Sequence, residues 1–179
     1  RRQRQMCIRD RALGDSMDID LSIDGGDYML KSYFPFYGAY FGQAAMDIDA
    51  DTLLYLESEA LKNCTVKIWE GFDSFTEYDS VYDYEKLGSV DSYDMFLYGT
   101  KPVVTIENPK AESDREMIIF KDSFANSMTT LLVESYSKIT LIDLRLVNHT
   151  VLDNFVDFSD ADILFLYSTM VVNNSSILK

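Results

Sequence analysis

The stretch Glu116-Met117-Ile118-Ile119-Phe120-Lys121-Asp122-Ser123-Phe124-Ala125-Asn126-Ser127 decides how this chain folds. An apolar run, Met117 to Phe120, ends at once in Asp122-Ser123, and a helix-like segment, Phe124 to Tyr136, follows. Strand, sharp turn, helix: this order places the Ser123 hydroxyl at the C-terminal edge of a parallel sheet, where ligands and catalytic groups collect. A helix starting just after Ser123 also aims backbone N–H groups at that spot, which suits an oxyanion. Two roles are open to Ser123. It is a nucleophile, or it joins Asp122 as an ordinary helix cap.

The same order repeats downstream. Strand Ile139–Asp143 leads to helix Val151–Phe158, and strand Asp162–Tyr167 to a loop with Asn173-Asn174-Ser175-Ser176. Strands alternating with helices imply right-handed βαβ units and an α/β fold. The apolar strands fit a parallel sheet covered on both faces and flanked by helices. The three strands are expected to be parallel neighbours, with Asp122/Ser123, Asp143/Arg145 and Ser168/Thr169 along one edge.

Upstream the pattern is less regular. Val103–Ile106 reads as a strand ended by Asn108-Pro109. Val66–Trp69 reads as another. Asp18–Ile23 and Tyr28–Tyr33 flank Asp24-Gly25-Gly26 and read as a hairpin. The aromatic run Phe34–Gly42 reads as core or packed loop. Asp49–Leu61 is short and mixed. Asp73–Asp94, rich in Asp, Tyr and Ser, reads as a solvated surface or lid.

Length and composition narrow the classes. The chain has 179 residues, one domain's worth, and a formal net charge of −14. Such a surface repels phosphate backbones and anionic headgroups, which excludes nucleic acid as a partner. Two cysteines, Cys7 and Cys64, without CxxC or a nearby His support neither a zinc site nor a disulfide framework. No apolar run reaches the length of a membrane span, and no cofactor motif is present. Residues 1–11 hold five of the sixteen basic residues and resemble translated sequencing-adapter sequence. They are set aside from fold reasoning. The single domain is then 12–179, and the native N-terminus is expected to be missing.

A serine nucleophile needs a base in reach and donors for the oxyanion. The one histidine, His149, follows the second of the three strands, so it shares an edge with Ser123. It is a base or plain polar surface. Arg145 can bind a carbonyl or carboxylate oxygen, or pair with Asp143 or Asp122. Gly14-Asp15-Ser16 copies the tripeptide of GDS-type esterases, but no apolar strand precedes it. Asp20, Ser22, Asp24 and Gly25 match half of a calcium loop, but Lys31 stands where a bidentate Glu belongs. No metal site is expected.

Tyr93–Gly99, Val103–Pro109, Ile119–Ser127 and Ile142-Asp143-Leu144-Arg145 together resemble the C-terminal part of the bacterial DHHW-motif proteins. These are SGNH-hydrolase-like and similar to the alginate O-acetylation proteins. The resemblance runs from about Tyr33 to Lys179. It implies an SGNH-like parallel sheet, truncated at its N-terminus. It also implies a serine-dependent O-acyl esterase or acyltransferase outside the cytoplasm or in the cell envelope, acting on an acylated glycan without a cofactor. Ser123 would be the nucleophile, and Asp122, Asn126 and Arg145 would bind, with oxyanion contacts from the Ser123–Asn126 region. The family's base comes from an upstream Asp-His-His-Trp motif. No such motif occurs here, and the one Trp, Trp69, has no His beside it. Lys121 stands where related esterases often have Gly. The chain as it stands is therefore expected to be inactive. A non-catalytic glycan- or partner-binding protein with region 73–94 as its contact surface is the rival, and a calcium-dependent adhesion module a third class.

Overall fold

The computed structural model describes residues 16–17, 28–38, 49–71, 74–111, 113–154 and 156–179. Strands β1 (Met29–Phe36) and β2 (Asp51–Glu57) form a two-stranded antiparallel sheet. Residues 18–27 of the expected hairpin lie outside the described residues, as does most of the half calcium loop. Its second strand is β1, which pairs with β2 drawn from the mixed segment 49–61. A one-turn helix, α1 (Glu59–Lys62), follows, capped by Ser58 Oγ, which accepts from Leu61 N–H at 3.2 Å.

The main sheet has six strands: β3 (Thr65–Gly71), β4 (Ser74–Tyr78), β5 (Val103–Glu107), β6 (Glu116–Lys121), β7 (Lys138–Ile142) and β8 (Ala161–Leu166). Their spatial order is β4-β3-β5-β7-β6-β8. β6 lies between β7 and β8 and runs parallel to both, as the strand–helix alternation predicts. The other half, β4, β3 and β5, is antiparallel, and β5 pairs antiparallel to β7. The sheet is thus mixed, where a parallel sheet was expected. The connection 108–115 is too short for a crossover, so the chain must reverse between β5 and β6. The segments 122–137 and 143–160 are long enough for parallel return.

Helices are fewer than the pattern predicts. Phe124–Tyr136 is a 3₁₀ turn (Ser123–Ala125), a single α-turn α2 (Asn126–Thr129) and another 3₁₀ turn (Val133–Ser135). Thr129 and Thr130 donate their hydroxyls to the carbonyls of Ala125 and Ser127, both at 2.9 Å. These bonds compete with regular helix, and β-branching adds to the effect. In place of helix Val151–Phe158 there is a 3₁₀ segment, His149–Asn154.

The larger core lies on one face of the sheet. It joins Val66, Ile68, Val104, Ile106, Met117, Ile119, Ile139 and Leu141 to Met128, Leu131 and Leu132. It also takes in Val81, Tyr82, Met95, Phe96 and Leu97. Region 73–94 is a solvated surface for its charges, none of which is buried among the described residues, but it also contains β4 and sends Val81, Tyr82 and Ser92 into the interior. The other face carries a smaller cluster of Ile118, Phe120, Ile142, Leu152 and Val156. Of the aromatic run, Phe36 is buried and Phe34 exposed.

Candidate active site

The C-terminal ends of the three parallel strands converge on Asp122. Its side chain is 2% exposed. Oδ1 accepts from Phe124 N–H at 3.0 Å, and Oδ2 accepts from Ser168 N–H at 2.7 Å. One carboxylate thus holds the turn after β6 and bolts it to the end of β8. Both bonds are charge-assisted, which makes them stronger than neutral ones. Ser123 follows, half-buried, at the edge where the sequence pattern puts it. Above the turn, the Tyr93 hydroxyl donates to Ser127 Oγ at 2.9 Å.

Asn126 is 1% exposed and fully engaged. Nδ2 donates to the carbonyls of Phe96 (3.2 Å) and Gly99 (3.0 Å), and Oδ1 accepts from Lys121 Nζ at 2.7 Å. With both amide hydrogens committed, its part here is to hold the turn, not to donate to an oxyanion. The 97–99 turn that receives it has three residues at positive φ: Leu97 (53°), Tyr98 (61°) and Gly99 (81°). Only glycine fits the last. A Cβ at Gly99 would stand 2.7 Å from Asp94 Oδ1.

Beneath Ser123 lies a buried charge cluster. Asp143, 0% exposed, accepts from Arg145 Nε at 2.8 Å and Nη2 at 2.5 Å, and from Arg145 N–H at 3.1 Å. Arg145 pairs with Asp143 through two nitrogens, the ion pair that the sequence allows. Its bond to Asp143 raises its pKa. The Lys121 ammonium is 1% exposed, and burial pulls its pKa from 10.5 down to about 8, against the attraction of Asp143 and Asp122. The Tyr167 hydroxyl is buried and has no hydrogen-bond partner among the described residues. Burial first, then Asp143 and Asp122, push its pKa up to about 12. Lys121 closes β6 and Tyr167 follows β8, and nothing in their spacing signals that either polar group is buried.

The Lys121 shift has a measurable sign. Below pH 8 it is protonated folded and unfolded, and above 10.5 it is neutral in both. Between, the unfolded chain binds the extra proton, so stability rises with pH across that window. The gap between 10.5 and about 8 corresponds to about 3 kcal/mol. Other groups titrate there too, so the reference is Lys121→Met. Urea unfolding should show wild type gaining on Lys121→Met by about 3 kcal/mol between pH 8 and 10.5. An unchanged difference would mean Lys121 is not held as a buried ammonium.

His149 is exposed on the loop after β7. Its backbone N–H donates to Lys179 O at 3.2 Å, while Lys179 N–H donates to Leu144 O at 2.8 Å, so residue 179 lies across this loop. Ser16 is exposed, and Gly14 and Asp15 lie outside the described residues. Among the described residues no group of three or more His, Cys, Asp and Glu could hold a metal ion. Nor is any described helix long and apolar enough to cross a membrane.

The fold has solved counterparts. A DHHW family protein from Eubacterium siraeum superposes with a TM-score of 0.71 at 20% identity, over 94% of this chain and 57% of that one. Bacillus cereus PatB1 solved with a sulfonyl adduct superposes at 0.64 and 21% identity, over 94% and 55%. A second structure of Bacillus cereus PatB1 superposes at 0.59 and 21% identity, over 95% and 57%. The chain thus spans little more than half the length of these proteins. No curated protein matches it. The sequence model described as "DHHW protein" matches residues 24–142, most of the chain, ending where β7 ends. The chain belongs to the DHHW family.

Proposed function

We propose that this chain is the nucleophile-bearing part of a serine-dependent O-acyl esterase or acyltransferase, and that its substrate is an acylated glycan of the cell envelope. The observation that carries this reading is the position of Ser123. It is half-buried on a turn held by a buried carboxylate, at the edge where parallel strands end. Ser123 Oγ attacks the ester carbonyl carbon, giving an acyl-serine and releasing the glycan alkoxide, which takes up a proton. Water or a second hydroxyl then receives the acyl group. Asp122 positions the turn. Arg145, with Nε and Nη2 on Asp143, keeps Nη1 for a ligand oxygen. The base comes from the Asp-His-His-Trp segment of the family. Envelope location and the glycan substrate rest on family membership. The SGNH-like character rests on the parallel half of the sheet.

The PatB1 neighbour was solved with a sulfonyl adduct. Sulfonyl halides form adducts when a nucleophile attacks sulfur and displaces halide, so the same reagent class tests Ser123. Incubation of the chain joined to an Asp-His-His-Trp segment of its family with methanesulfonyl fluoride, followed by peptide mass spectrometry, should place the added mass on Ser123. Ser123→Ala should take up none. An adduct elsewhere, with Ser123 unmodified, would overturn the assignment and favour the non-catalytic binding protein.

A further inference from the structure

The second face of the sheet is not apolar throughout. Across β3, β5, β7 and β6 the register aligns Lys67, Thr105, Thr140 and Ile118 in one row. The next row aligns Glu107, Lys138 and Glu116. These rows form the floor of a groove of 260 Å³, walled at one end by Trp69 and Phe75 and at the other by Val156 and Asp157. Lys67 Nζ bonds Glu107 at 2.8 Å and Lys138 Nζ bonds Glu116 at 3.0 Å, so the charges on the floor are paired.

Two hydroxyls on that floor stand out. Thr105 is 6% and Thr140 5% exposed, side by side across β5 and β7. Neither hydroxyl forms a hydrogen bond among the described residues. Valine would pack a central strand as well, so nothing in the strand itself calls for a hydroxyl at either place. Both face the groove, where a ligand can satisfy them. Beside them, Trp69 and Phe75 sit 5.8 Å apart, Phe75 half exposed. An aromatic wall takes the C–H face of a pyranose, and a row of hydroxyls and paired charges takes its hydroxyls. The paired floor in a chain of net charge −14 disfavours an anion.

We infer that this groove is a binding subsite for a neutral saccharide, separate from Ser123. Ile118 lies five residues before Ser123 along β6, about 16 Å at strand rise. The subsite is therefore several sugar units from the reacting serine. The inference goes beyond acyl transfer and stands without it.

Trp69 is the sole tryptophan, so its emission reports on the groove. Cellohexaose and chitohexaose are titrated into the 179-residue chain while emission is followed, and a printed glycan array extends the set. A saturable emission change with at least one neutral glycan is expected. The Thr105→Val/Thr140→Val variant should weaken that binding about tenfold or more. Its melting temperature should not fall, which separates ligand contact from a structural role. Ser123→Ala should leave binding unchanged, so failure of the acyl-transfer reading would not disturb this result. No neutral glycan bound on the array or in titration would overturn the inference. So would unchanged affinity in the threonine variant, or a loss of its stability. Self-association abolished by that variant would identify a contact between copies instead.

Discussion

Joined to an Asp-His-His-Trp segment of its family, this chain is expected to hydrolyse activated acetyl esters roughly 10²–10⁴-fold faster than the 179 residues alone. The reason is a proton. Ser123 at neutral pH is an alcohol, and attack on a carbonyl needs a base to take its hydrogen. The buried groups around the turn do not offer one. Asp122 is spent on two backbone N–H groups, and Asp143 is spent on Arg145. Lys121 donates to Asn126. Nucleophile and base act as a unit, so the nucleophile alone yields little. Ser123→Ala in the joined protein should therefore remove the gained activity, and His149→Ala should leave it. p-Nitrophenyl acetate hydrolysis reads all three. If the 179 residues alone are active and His149→Ala abolishes that activity, His149 is the base and the upstream assignment fails. If the joined protein is active but indifferent to Ser123→Ala, the nucleophile lies elsewhere.

Asp143→Ala should cost about 3 kcal/mol of stability, measured by urea unfolding at pH 7. Breaking a buried ion pair from one side typically costs about 3–5 kcal/mol, because the other charge is left without compensation. The lower end applies because the Arg145 side chain is 27% exposed and part of it returns to water. Asp143 also holds the end of β7: its backbone N–H donates to Pro102 O at 2.9 Å, and its carbonyl accepts from Leu146 N–H at 2.9 Å. Those backbone bonds survive the substitution, so the loss isolates the carboxylate. Asp143→Ala combined with Arg145→Met should cost less than Asp143→Ala alone, since the Arg145 charge is then not left stranded. Equal or additive losses would show that the pair is not coupled.

The parallel core of this fold is legible in the chain order. Met117–Phe120, Ile139–Ile142 and Ile163–Leu166 are largely apolar, and the segments joining them are long enough to return parallel. Local patterning fixes those two features, so the position of Ser123 at the strand edge follows from sequence. The antiparallel half does not follow. Which strand β5 pairs with depends on partners more than thirty residues away in the chain, and β4 is hidden in a run of Asp, Tyr and Ser. Helical character at 124–136 is also overruled, because Thr129 and Thr130 spend their hydroxyls on nearby carbonyls and Asn126 is tied to carbonyls of the distant 96–99 turn. The site divides the same way. Asp122 as a turn-holding carboxylate is readable from Asp-Ser before a turn. That Asn126 has no free amide hydrogen, that Lys121 is a buried ammonium, and that Tyr167 carries an unsatisfied hydroxyl are set by burial and by carbonyls from the 96–99 turn. Spacing along a chain says which residues can share an edge. Desolvation and the commitment of each donor depend on what packs against them, and only the tertiary structure decides that.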